Sequence, residues 1–282
     1  MARADVPQWL WRAIINNFNL TQDDLAAQQA QIDALMQSNA DLQTQVVANA
    51  AYIQQLQSYI EITEGDIPQV IVNGANLVVR NGLGTTDTIN GSGNLVIGYA
   101  EPNIDGAYPY FCSDGEYLEA SICISAGESW EQSLQSGSHN LVMGKENNYS
   151  RYGQIVSGKR NTANGDHAMV HGESNFATGD YSFVGAGQWN NSVADYAGIS
   201  GGRYNIASGD YSSIVGGWFN DVIGSYAVVA GGDHNNATGE SAVVSGGYNN
   251  TAAGEDAVVS GGLDRNAAGQ SDWTAGTLFE TE

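Results

Sequence analysis

Apolar positions recur in two different rhythms, one of seven residues and one of about fifteen. The first places Phe18, Leu25, Ile32, Asn39, Val46, Ile53 and Ile60 at heptad position a, with Thr21, Gln28, Leu35, Leu42, Asn49, Leu56 and Thr63 at d. Between Leu25 and Ile60 there is no Gly or Pro, and Gln, Ala and Leu dominate, all compatible with helix. The spacing predicts a coiled coil over 18–63, its seam from 18 to 60 about 64 Å long. Ile or Val at a with Leu at d argues for two strands, and Asn39 at a does not contradict that. Asn49 at d points instead to a three-helix core, where a ring of amides can hold a water or an anion.

The second rhythm fills Tyr152 to Gln270 with eight units, from YGQIVSGKRNTANGD to DAVVSGGLDRNAAGQ, seven of 15 residues and one of 14. Each opens with a strand-like stretch whose fourth residue is Val or Ile: Ile155, Val170, Val184, Ile199, Ile214, Val229, Val244 and Val259. A glycine follows, and most units end on Asn, a small residue and a second Gly. This reads as two short strands and two tight turns per unit, with Gly and Asn supplying turns of positive φ. Units stacked at about 4.8 Å build a β-solenoid roughly 38 Å long, its core those Val and Ile residues. Tyr181, Trp189, Tyr211, Trp218, Phe219, Tyr226 and Tyr248 are left for lateral association of chains or for an aromatic binding surface.

Around these two blocks lie four other zones. Residues 1–17, with Phe18 just beyond, carry Trp9, Trp11 and Ile14. They form a helical plug gathering the chain ends of an oligomer, or a docking element for a separate partner. Residues 64–98 are a transition holding degenerate units, NGANLVVR at 73–80 and GSGNLVIG at 91–98; a further copy, GSHNLVMG, opens the repeat zone of 137–270. The solenoid is therefore expected to begin near residue 70. Residues 99–136 are an acidic, aromatic insertion with Tyr99, Tyr108, Tyr110, Phe111, Tyr117 and Trp130 beside Asp105, Asp114, Glu116, Glu119, Glu128 and Glu131. It is either a binding loop or a cap. Residues 271–282 form a tail.

Charge narrows the partners. Nine Lys plus Arg face 31 Asp plus Glu, a formal net charge of −22 over 282 residues, which disfavours nucleic acid and anionic membranes. No 18-residue apolar run exists to span a bilayer, and the N-terminal residues show no signal-peptide pattern. Cys112 and Cys123 admit one disulfide, which fits an oxidising compartment, or two buried thiols. Nothing here suggests an enzyme: His139, His167, His171 and His234 form no compact motif, and G-x-S-x-G, Walker, CxxC and HExxH patterns are missing. Acidic residues at the unit junctions (Asp166, Asp180, Asp195, Asp210, Glu240, Glu255) admit calcium between coils, though without the nonapeptide calcium-roll pattern. Thr162, Thr178, Thr238 and Thr251 are too scattered for an ice-binding array. No cofactor is expected.

With these motifs in view, the V/I-x-G cores and the endings NTANG 161–165, SNFATG 174–179, YNIASG 204–209, HNNATG 234–239 and YNNTAAG 248–254 resemble the head repeats of trimeric autotransporter adhesins. GSGNLVIG and GSHNLVMG resemble the first coils of those heads, and VVANAAYI at 46–53 resembles the stalk motif with asparagine in its core. The resemblance covers roughly residues 30–270. It implies a left-handed parallel β-roll homotrimer preceded by a parallel three-stranded coiled coil, displayed outside the cell, binding host or environmental surface proteins or glycans multivalently. The alternative is a phage tail-fibre or extracellular filament subunit whose N-terminal segment docks to a scaffold protein.

Overall fold

The computed structural model describes residues 7–63, 69–102, 111–112, 120–127, 129–131 and 133–276. The chain divides into two compact units, Met1–Val78 and Val79–Glu282.

In the first unit, helix α1 runs without interruption from Gln8 to Gln57, where no Gly or Pro intervenes. Pro7 precedes it, its carbonyl accepting from the Leu10 amide at 2.9 Å. The N-terminal segment is thus not a separate element. Counting heptads back from Phe18 and Thr21 puts Trp11 at a and Ile14 at d, on the same seam, and leaves Trp9 at f. The helix also ends earlier than the heptads predict. Strand β1 (Ile60–Thr63) pairs antiparallel with β2 (Gln69–Val72), Ile60 opposite Val72. Ile60, Ile62 and Thr63 are β-branched and alternate with polar neighbours, which favours strand over helix. A single helix, not a coiled coil, is what one chain displays.

The second unit is a parallel β-solenoid. Its first ladder strand is β3 (Leu95–Ile97), later than the expected start near residue 70. Residues 69–72 are already paired with β1, and 76–80 carry no strand. Between 79 and 94 the chain instead lies against the first coil: the Asn90 amide donates to Ser138 Oγ at 2.9 Å, and Asn94 Nδ2 to the Gly137 carbonyl at 2.7 Å.

From β3 the chain leaves the stack and returns 46 residues later, because Leu95 pairs with Leu141 of β6 (Leu141–Lys145). The excursion holds β4 (Phe111–Cys112) antiparallel to β5 (Trp130–Glu131), with helix α2 (Ala120–Ser125) between them in sequence. Cys112 and Cys123 are joined by a disulfide and fully buried. Asp105, Tyr108, Tyr110, Asp114, Glu116, Tyr117, Glu119 and Glu128 lie outside the described residues.

Nine coils then run from 139 to 270. Register steps of 14 link Leu141, Ile155, Met169 and Phe183; steps of 15 link Phe183 to Gly198, Ser213, Val228, Val243 and Val258. First strands stack into an eleven-stranded sheet that includes β3 and Trp273–Thr274, and second strands into a nine-stranded one. Between the sheets lie Val142, Val156, Val170, Val184, Ile199, Ile214, Val229, Val244 and Val259 from the first, and mostly Ala from the second. One core residue differs from the sequence expectation. Val156 is buried, whereas Ile155 pairs with Met169 on the outer face. Tyr152 belongs to the preceding coil, so the coil 153–166 has 14 residues. In a two-residue alternation, a one-residue reframing turns every side chain over.

Candidate functional site

The solenoid presents its surface as rows, since each position in a coil stacks on its equivalents. Four rows matter: a buried asparagine row, two rows of turn residues, and an acidic row.

Asn147, Asn161, Asn175, Asn190, Asn205, Asn220, Asn235 and Asn250 stand at one position of successive coils and are buried. Each Oδ1 accepts the backbone N–H of the equivalent residue one coil on, at 2.9–3.1 Å. Asn220 Nδ2, for example, donates to the Gly216 carbonyl at 3.0 Å and across the stack to the Gly232 carbonyl at 3.1 Å. The amide thus satisfies backbone groups that a turn would otherwise orphan. The sequence pattern shows these asparagines plainly, but none of them stands at the positive φ expected of a turn residue. The ladder ends where Arg265 takes the ninth place, its amide still donating to Asn250 Oδ1 at 3.0 Å.

Among the non-glycine residues of the coils, positive φ belongs to the residue just before each of these asparagines and to the residue that opens each coil. Tyr181, Tyr196, Tyr211 and Tyr226 open four consecutive coils at φ 56–60°, a conformation that costs an L residue about 1–2 kcal/mol. Two contacts offset it. Each amide turns back to the preceding coil, as Tyr196 N–H does to the Asp180 carbonyl at 2.8 Å. Each ring stacks on the next, centroids 5.0, 4.7 and 5.1 Å apart and planes within 6°, worth about 0.5–1.5 kcal/mol per pair. Burial between neighbouring rings, and then the Tyr211 and Tyr181 hydroxyls, raise the Tyr196 phenol above its usual range. Stacking within one chain covers part of Tyr181, Tyr211 and Tyr226, which stay about half exposed.

The glycine that follows each first strand also takes positive φ, as the sequence predicts, from Gly158 at +104° to Gly262 at +116°, whereas the second glycines, such as Gly209 and Gly224, do not. Gly217 combines φ +96° with a close approach in which any Cβ would strike the Gly232 carbonyl oxygen. The glycine before it, Gly216, has open space around it.

The acidic row is partly used up by the fold. Asp166 forms a two-point ion pair with Arg151 at 2.8 and 3.1 Å; Asp180 Oδ1 accepts the Asp166 amide, and Asp195 Oδ1 the Asp180 amide. Among the described residues, no group of three or more His, Cys, Asp or Glu could hold a metal ion. The histidines are dispersed as well. His139 Nε2 accepts the Asn81 amide at 3.3 Å, His167 stacks on Tyr181, His171 Nδ1 meets Ser157 Oγ at 2.5 Å, and His234 Nδ1 lies 2.6 Å from Asp233 Oδ1. His167 sits in a turn and His171 on a strand, so their four-residue spacing brings no shared ligand geometry. Thr178 and Thr238 share a row, but Val193, Ser208 and Ile223 separate them, and no threonine array forms among the described residues.

The second turn row runs Trp189, Tyr204, Phe219 and His234, with Tyr204 and Phe219 stacked at 4.7 Å and Phe219 and His234 at 5.1 Å. Beside it a parallel row of bridges joins Arg203, Trp218, Asp233, Tyr248 and Leu263. Trp218, Tyr248 and Leu263 are about half exposed.

On α1 the predicted seam, Leu25, Ile32, Leu35, Leu42, Val46, Ile53 and Leu56, is solvent-exposed, Leu25 to 70%, as are Asn39 and Asn49 between them. Trp9, Trp11, Ile14 and Phe18 are exposed too, Trp9 to 69%, and Ile60 is exposed on β1. No described helix is long and apolar enough to cross a membrane. Compared with known proteins, the chain matches no family model, and no curated protein is significantly similar to it.

Proposed function

We propose that the chain is a non-enzymatic, trimeric surface-fibre module that mediates multivalent adhesion. In that reading α1 is one strand of a parallel three-stranded coiled coil, the solenoid is a left-handed β-roll like that of trimeric autotransporter adhesin heads, and three copies associate laterally. The observation that carries it is the exposed seam of α1. Most helical stability in proteins comes from packing of an apolar face rather than from propensity, and burial of one Leu, Ile or Val stabilises by about 1.5–3 kcal/mol, so a seam of this length calls for partner helices. Asn49 at d favours three strands, with an anion or water at its layer.

The outer face of the larger sheet supports lateral association independently. Its outward positions run Leu141, Ile155, Met169, Phe183, Gly198, Ser213, Val228, Val243 and Val258, and in parallel Met143, Ser157, His171, Gly185, Ser200, Val215, Ala230, Ser245 and Ser260. Neither row contains Asp, Glu, Lys or Arg, in a chain of net charge −22. Nine coils at about 4.8 Å and a width of about 10 Å make such a face about 400 Å². A cyclic assembly sets each such face against a neighbouring copy, about 800 Å² in total per contact and below the size of a standard interface, about 1,200–2,000 Å², so the helices must supply the rest. The disulfide fits an extracellular or cell-surface location.

Trp9, off the seam and exposed, favours a second reading: a tail-fibre or filament subunit that docks to a scaffold through its N-terminal turn. Binding of the full chain to immobilised matrix proteins and glycans, compared with Leu35→Asp/Leu42→Asp, decides for adhesion. Three linked sites raise apparent affinity by about 10²–10⁴, so the variant should lose that margin. Equal binding by both proteins contradicts multivalency. Retention by a scaffold protein that Trp9→Ala abolishes favours docking.

A further inference from the structure

The geometry points to a binding site for a neutral, linear oligosaccharide along the turn that carries Trp218, Asp233, His234 and Tyr248. This names a partner class for the adhesive reading and rests on it.

Two aromatic turns lie in the coil, and they are not equivalent. At the opening turn, Tyr181 to Tyr226 are stacked face to face in their own row. Tyr196 and Tyr211 have both faces covered by neighbouring rings and Tyr181 lies between His167 and Tyr196, so edges and hydroxyls are what remain; only Tyr226, followed by Ser241, keeps one face. In the other turn, Trp218 is flanked in its row by Arg203 and Asp233, and Tyr248 by Asp233 and Leu263, so neither ring is stacked on a ring of its own row. Between them stands His234, 6.0 Å from the Trp218 ring and edge-on to it, and 5.8 Å from Tyr248 and tilted. The arrangement is two half-exposed aromatic platforms two coils apart, about 10 Å at the β-stack pitch, with polar groups between.

Those polar groups select the ligand. Asp233 is already bonded to His234 at 2.6 Å, and Asp264 to Asn249 Nδ2 at 2.6 Å. Their remaining oxygens are free to accept hydrogen bonds from hydroxyl donors. A polyanion is repelled by the chain's net charge of −22. A sugar ring offers C–H groups to an aromatic face and hydroxyl donors to carboxylate and amide oxygens, the usual division of labour in a polar-ligand site. The coil repeat lines these groups up along one axis, which suits a linear chain of sugars.

The test uses the full-length protein with cellohexaose and chitohexaose as neutral probes and a heparin hexasaccharide as the anionic one, read by calorimetry and tryptophan fluorescence. Saturable binding of a neutral hexasaccharide is expected, at least tenfold weaker in Trp218→Ala and in Tyr248→Ala, unchanged in Tyr211→Ala, with circular dichroism confirming the fold of each. Neutral hexasaccharides that fail to bind at millimolar concentration overturn the inference, as does binding that survives the Trp218→Ala/Tyr248→Ala double variant. Preference for the heparin fragment overturns it as well. Surface adhesion that persists in the double variant would leave the adhesive reading standing and sink this one. Hexasaccharide binding by a monomeric protein would do the reverse.

Discussion

Replacing Asn220 with alanine tests the asparagine ladder at its middle. The side chain is 1% exposed. Its loss leaves the Asn235 amide and the Gly216 carbonyl without their side-chain partner and removes one of the bonds to the Gly232 carbonyl, which still accepts from the Trp218 amide at 2.9 Å. A buried backbone group left unsatisfied costs about 1–3 kcal/mol, so two of them place the penalty at about 4 kcal/mol. Asn266→Ala is the matched control: it removes the same atoms from an exposed strand position and should stay within about 0.5 kcal/mol of the parent. Guanidinium unfolding followed by far-UV circular dichroism gives both values. Native-state hydrogen exchange adds a local readout, because 4 kcal/mol accelerates exchange through opening about a thousandfold. The acceleration should centre on residues 216–235. If Asn220→Ala unfolds with Asn266→Ala, the ladder contributes nothing to cohesion between coils and the reasoning fails.

Three further outcomes follow from the same rows. Gly217→Ala should destabilise by several kcal/mol, or misfold, and Gly216→Ala should be near neutral; similar midpoints for the two in thermal unfolding would remove the steric argument. Asp221 is half buried with an unpaired Oδ1, and burial raises its carboxyl above the usual carboxylate range. Its native form therefore holds a proton more firmly than the unfolded chain, so this residue's contribution is most favourable below the unfolded carboxylate value and declines as pH rises through the folded one. Asp221→Asn should raise stability at neutral pH and flatten that decline, which paired urea titrations at pH 4 and pH 7 would detect, and an unchanged difference between them would refute it. Reducing the Cys112–Cys123 bridge, 11 residues apart in sequence, should loosen its loop by about 3 kcal/mol while the nine coils keep their melting transition. Loss of that transition on adding dithiothreitol would show that the excursion supports the stack.

Much of this architecture can be read from the chain because a repeat repeats its evidence. Val or Ile at one position of every unit, a small residue two before it and a glycine after it can satisfy only one stack, and the residues found in the core are those, with Val156 in place of Ile155. Tyr152 resembles the tyrosines that open later coils, and a unit framed on it shifts its core by one residue. Gly153 is the true equivalent, at φ +69°. The turns were harder. Tyrosine at positive φ contradicts local preference, and only the ring of the next coil and the amide turned backward explain it; both are contacts between coils and invisible within one. The Asn row was visible as a pattern, but its chemistry required knowing that the next coil's amide lies 3 Å away. Heptads located α1 well through Leu56 and overran it at Ile60, since the β-branched pair Ile60 and Ile62 finds a partner strand in Val70 and Val72. The excursion at 99–136 was recognisable only because GSGNLVIG and GSHNLVMG resume one another's pattern.

The central claim is that α1 and the uncharged sheet face are surfaces for further copies of the same chain. Sedimentation equilibrium of the full-length protein at micromolar concentration measures this directly. The account predicts a single species of three times the 29.7 kDa chain mass, shifting toward smaller mass in Leu35→Asp/Leu42→Asp. A stable 29.7 kDa species across that range, with α1 still helical, would contradict it.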